Sequence, residues 1–123
     1  MKRLFTISHD TFDMETLIAV GVSDKKITKW IEKNTKLKAD DDFMSSISCD
    51  GLGRTVRHGG FSMLRLDHWD GTNRNIAHLA HEAFHLAEFT FDRINIKHDV
   101  ETSGEAFAYF IQHTVEQVLD GLS

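Results

Sequence analysis

The residues best suited to chemistry are His81, Glu82 and His85, which fall in the pentapeptide HEAFH. On a helix, side chains four residues apart leave the same face one turn apart, so both imidazoles can reach one metal ion. A glutamate directly after the first histidine stands where it can take a proton from metal-activated water. With 8 His in 123 residues the pattern arises by chance in roughly 3 % of such chains, so its surroundings must carry the weight.

Those surroundings are helical. Thr72 or Asn73 can cap a helix whose expected core stripe is Ile76, Leu79, Ala80, Ala83, Phe84, Ala87, Phe91 and Ile94. Opposite that stripe lie Arg74, His78, His81, His85, Glu88 and Asp92, a polar face with too many histidines for simple solvation. A partly covered cleft is the expectation. The last helix is expected from Thr102 or Ser103 to Leu119, buried through Phe107, Phe110, Ile111, Thr114, Val115 and Val118, with Gly121 as its C-terminal glycine.

Catalytic zinc takes three protein ligands and keeps a position for water, so the histidine pair needs a partner. Glu105, in the first turn of the last helix, is the candidate, supported there by the helix dipole. Thr102 and Glu105 read equally well as a capping box, whose glutamate would satisfy a backbone N–H instead. Glu101 and His78 compete for the same ligand position. Tyr109 and His113, one and two turns beyond Glu105, are candidate donors to a developing oxyanion. Asp92 and Asp99 could orient an imidazole but suit loop or capping roles better.

The first half must supply the support. KRLFTIS reads as a strand, and ETLIAVGV as a strand or a helix. Ser23 caps a helix to about Asn34, with Ile27, Trp30, Ile31 and Leu37 inward and its lysines solvated. ADDD is expected to be a loop, FMSSISCD a loosely alternating strand, and DGLGR a turn. TVRHGGFSMLRLDHW reads as two strands broken at Gly59-Gly60, with Arg54, Arg57 and His58 solvated beside the break. His9, His68 and His98 are expected at the surface or in loops, and Cys49 as a small core residue.

Connections that look too short for repeated crossover helices favour an antiparallel or mixed sheet. The expected fold is therefore α+β: a small sheet in the first half packed against helices, with a two-helix zinc site in the C-terminal third. At 123 residues, one domain spanning 1–123 is expected. A formal charge of −5 disfavours nucleic acid as partner, the lone cysteine suits the cytoplasm, and no apolar run is long enough for a membrane span.

HEAFH followed by Glu105, 24 residues after His81, resembles the gluzincin metallopeptidases, in which a glutamate on a second helix completes a two-histidine zinc site. GEAFAY resembles that family's glutamate helix. The longer stretch HEAFHLAEFTFDRINIKHDVETSGEAFAYF is similar to small zinc peptidases of tailed bacteriophages. The resemblance implies a minimal zincin-like fold, Zn2+ held by His81, His85 and Glu105, and Glu82 as general base. It also implies a peptide or protein substrate, a host protein included, met in the host cytoplasm. It stops at those four residues, because no NExxSD-type sequence surrounds Glu105. The function expected is a zinc-dependent metallopeptidase-like hydrolase. The alternative is a catalytically degenerate zinc-binding or host-protein-binding protein on the same scaffold.

Overall fold

Apolar residues on both faces explain why ETLIAVGV is ambiguous by periodicity. In the structure, a computed structural model that describes residues 1–48, 53–58 and 60–123, this segment is a central strand, β2 (Met14–Val20). Ile18 and Val20 pack to one side, and Leu17 and Ala19 to the other. Burial on both faces removes the polar alternation that marks a strand with one face in water.

The other strands are β1 (Arg3–His9), β3 (Gly53–His58) and β4 (Phe61–Leu66), in the order β1-β2-β4-β3. β1 and β2 form an antiparallel hairpin around a 3-10 turn at Asp10–Phe12, closed by Asp13 in the left-handed conformation. β2 and β4 are parallel, and β4 pairs antiparallel with β3. The sheet is thus mixed.

The connection at 21–52 does contain a crossover, contrary to the expectation of short links: it carries α1 (Asp24–Asn34) and α2 (Asp41–Ile47) before β3. Residues 43–47 are helical rather than extended. Asp40 accepts from the Phe43 N–H at 2.8 Å, Asp41 and Asp42 sit at the positive end of the helix, and Phe43 and Ile47, four apart, share its buried side. The ADDD segment is therefore a cap and first turn. Cys49, most of the DGLGR turn (50–52) and Gly59 lie outside the described residues.

α1 and α2 cover one face of the sheet through Ile27, Ile31, Phe43 and Ile47. Arg65 of β4 binds that layer, donating to Asp24 and to the carbonyls of Val22 and Ile47. α3 (Asn73–Arg93) and α4 (Gly104–Leu122) cover the other face, with Leu79, Val118 and Leu122 over Ile7, Ile18 and Leu64. Gly121 lies inside α4 rather than beyond its end, and its reason is proximity: a Cβ there would strike the ring of Phe5. Nearby, the Gln117 amide accepts from the Ser8 N–H at 3.2 Å and donates to its carbonyl at 2.7 Å, tying α4 to β1. Among the described residues, no helix is long and apolar enough to cross a membrane.

Candidate metal centre

α3 starts where the sequence says it should. Thr72 accepts from the Asn75 N–H at 3.3 Å, and Asn75 in turn accepts from the Asp70 N–H at 2.6 Å. The Asp70 carboxyl lies below the ordinary carboxylate range, chiefly because Thr72 hydrogen-bonds to it. The helix is rotated from the expected stripe: Leu79, Ala83, Leu86, Ala87, Thr90 and Phe91 are buried, whereas Ile76, Ala80, Phe84 and Ile94 are exposed. Leu86 joins the core because the buried stripe runs along the three-and-four spacing from Leu79 through Ala83 and Leu86 to Thr90.

On the opposite side, His81 and His85 point their Nε2 atoms at each other, 3.1 Å apart. Two nitrogens bound tetrahedrally to one zinc at 2.0–2.1 Å would lie about 3.3 Å apart, so this pair is spaced as a shared ion requires. His85 Nδ1 bonds to Glu88 Oε1 at 2.9 Å. A proton on that nitrogen leaves Nε2 with a free lone pair, the tautomer that a metal needs. By donor chemistry and spacing, His81 and His85 fit zinc.

Glu82 leaves the helix on its flank facing β3 and is buried, only 8 % exposed. Thr55 of β3 donates to its Oε1 at 2.9 Å, while Oε2 lies 4.0 Å from His81 Nε2. One carboxylate oxygen is anchored and the other turns toward the histidine pair. Gly53 makes the space, since a Cβ there would come within 2.8 Å of the Glu82 Cγ. Gly53→Ala is therefore expected to push Glu82 off Thr55 and to cost about 1–3 kcal/mol of stability, read as a lower urea midpoint. An unchanged midpoint would mean that β3 tolerates a side chain here.

β3 and α3 are joined further along by Arg57, which donates to the Phe89 carbonyl at 2.9 Å and pairs with Asp92 at 3.6 Å. Arg57 is therefore engaged rather than merely solvated, and Asp92 faces a guanidinium rather than an imidazole. Arg54 and His58 both bond to Ser46. Asp99 accepts from the N–H groups of Glu101 and Thr102, which hold its carboxyl below the usual range.

The remaining sequence candidates are spread out. The N-cap position of α4 is Ser103, not Thr102, and its side chain makes no capping bond, so the capping box does not form, and Glu105 stands exposed in the first turn. α3 and α4 run antiparallel: Leu79 packs with Val118 and Leu122, and the Phe91 ring stacks on Phe107 at 4.3 Å. Glu105 lies beyond Phe107, level with the end of α3, whereas His85 and His81 precede Phe91 by about 9 and 15 Å of helix axis. Among the described residues no three His, Cys, Asp or Glu side chains form a metal-holding group. Glu101 is exposed at the same end, and His78 is half-buried.

Tyr109 and His113 line a different pocket, with His9, Asp10, Phe12 and Phe110, and no α3 residue borders it. His9, expected at the surface, is only 3 % exposed. It stacks on Phe110 at a centroid distance of 4.1 Å and bonds through Nε2 to Thr114 Oγ1 at 2.8 Å. Contact with α4 buries it. His68 remains exposed and pairs with Asp70, while His98 sets its ring edge-on to Phe107.

Glu88, Thr55 and Gly53 also border the histidine pair and Glu82, beyond the residues that the HEAFH motif marks. Glu88 was legible, because an acid three residues after His85 shares its helix face. Thr55 and Gly53 were not, since their role depends on which strand borders α3. Compared with protein-family models, curated proteins and solved structures, the chain matches none of them.

Proposed function

We propose that this chain is a zinc-dependent hydrolase of the metallopeptidase class, acting on an amide bond of a peptide or protein. The observation that carries this reading is the convergence of His81 and His85, 3.1 Å between Nε2 atoms, beside a Glu82 carboxylate held by Thr55. Zinc, when bound, supplies a Lewis acid that acidifies water and polarises a carbonyl. His81 and His85 hold it, and Glu88 fixes the tautomer of His85. Glu82, anchored through Oε1, uses Oε2 to take the proton from the attacking water and to pass it to the leaving amine. For the third ligand, Glu105 has the spacing of the resembled family, and Glu101 and His78 are the alternatives. Glu105→Gln, Glu101→Gln and His78→Ala separate them by which lowers zinc affinity most.

The test is metal content. Protein purified without added metal is expected to carry close to one zinc per chain, and His81→Ala or His85→Ala to lose it. A content well below one, indifferent to both substitutions, removes the reading. A second reading, a zinc-binding protein that engages a host protein without hydrolysis, is favoured by one observation: Tyr109 and His113, the candidate oxyanion donors, border another pocket.

A further inference from the structure

The pocket bordered by Tyr109 and His113 has a chemistry of its own. It is an open cavity of about 460 Å³ between the Asp10–Phe12 turn and α4. Phe12, Phe110 and Tyr109 give it aromatic surface, and Tyr109 is 64 % exposed. Among the described residues, no lysine or arginine lines it; the one formal charge is that of Asp10.

The hydrogen bonds of His9 fix its tautomer. Thr114 spends its only hydroxyl proton on the Phe110 carbonyl at 2.8 Å. His9 Nε2, 2.8 Å from the same hydroxyl oxygen, must then be the donor in that bond. His9 Nδ1 is therefore a bare acceptor, and among the described residues it has no hydrogen-bond partner. Burial, and His113 beside it, lower the pKa of His9 to about 4, so the ring stays neutral at physiological pH. The neutral ring therefore adds no positive charge to the pocket wall. Buried acceptors without partners are rare enough to need a reason.

The Asp10 carboxylate and the aromatic faces, beside a neutral His9 ring and with no lysine or arginine among the described lining, select a positive occupant. We infer that this pocket binds a protonated alkylamine, either a free amine or the lysine side chain of a peptide. An anion would meet the Asp10 carboxylate with no lysine or arginine among the described lining to offset it. A neutral alcohol would gain only the apolar contact. The assignment stands on these residues and does not depend on the zinc reading.

The test is a titration of the full chain, followed by amide chemical shifts, with n-butylammonium, n-butanol and butyrate as probes of equal length. The expected result is saturable shifts at residues 9–12 and 106–113 with n-butylammonium alone. Asp10→Asn, at an exposed turn position, should weaken that binding about fivefold while leaving the rest of the spectrum in place. Equal shifts from butyrate or butanol, no saturable shift from butylammonium, or full affinity in Asp10→Asn would each overturn the assignment. A blocked peptide carrying one lysine, compared with its norleucine counterpart, identifies the source. Binding of the lysine peptide above butylammonium points to a protein ligand, and equal or weaker binding points to a free amine.

Discussion

Glu82→Gln is expected to keep the fold and the zinc while lowering hydrolysis about 10²–10⁴-fold, the range that a positioned general base contributes. The substitution is isosteric, which matters because Glu82 is packed against Gly53 and bonded to Thr55. A glutamine carbonyl can accept from the Thr55 hydroxyl as Oε1 does, so the side chain stays seated. What it loses is the oxygen turned toward His81, the one able to receive a proton. Glu82→Ala would be less informative, since it opens a void beside Thr55 and confuses stability with chemistry. The measurement pairs zinc stoichiometry with turnover of a mixture of fluorogenic peptides. Retained zinc with turnover equal to the parent protein would rule out Glu82 as the base. Retained zinc with no turnover in either protein would favour the non-hydrolytic reading.

Acidification offers a second large effect, far from His81 and His85. His9 has a folded-state pKa of about 4, against 6.5 when unfolded. Above pH 6.5 the ring is neutral in both states and contributes nothing to the pH dependence. Between pH 6.5 and 4 the unfolded chain takes up the proton and the folded chain refuses it, so stability falls as pH falls. The loss should level off below pH 4 at about 3 kcal/mol. Asp70 and Asp99 also have lowered pKa values, but their contributions are lost only as pH drops below the ordinary carboxylate value of 3.8. The window from 6.5 to 4 therefore favours His9. Urea midpoints at pH 7, 5.5 and 4 measure the slope, and His9→Gln, which can still donate to Thr114, should flatten most of it. An equal slope in that variant would place the pH sensitivity in another group.

What the sequence revealed follows the range of the interactions involved. The pairing of His81 with His85, the caps at Ser23 and Thr72, and the first strand depend on residues within a turn or two, and all were legible. α2 was misread because a seven-residue segment shows periodicity too briefly to separate a 3.6 repeat from loose alternation. His9 was misplaced because its burial depends on Thr114 and Phe110, about a hundred residues away. The same holds for the α3 flank: only the strand order β1-β2-β4-β3, set by the crossover through α1 and α2, brings Thr55 and Gly53 to Glu82. How α4 lies along α3 is not legible either, since it rests on the stacking of Phe91 on Phe107 and the packing of Leu79 with Val118.

The bond between Gln117 and Ser8 bears on self-association. β1 is an edge strand, and edge strands offer unpaired N–H and C=O groups to any passing chain. The Gln117 amide engages both groups of Ser8 as a neighbouring strand would, so a foreign strand finds them already taken. That guard is 109 residues away in sequence. During synthesis β1 emerges first and α4 much later, so the edge stays unguarded on the ribosome and is closed only when the last helix docks.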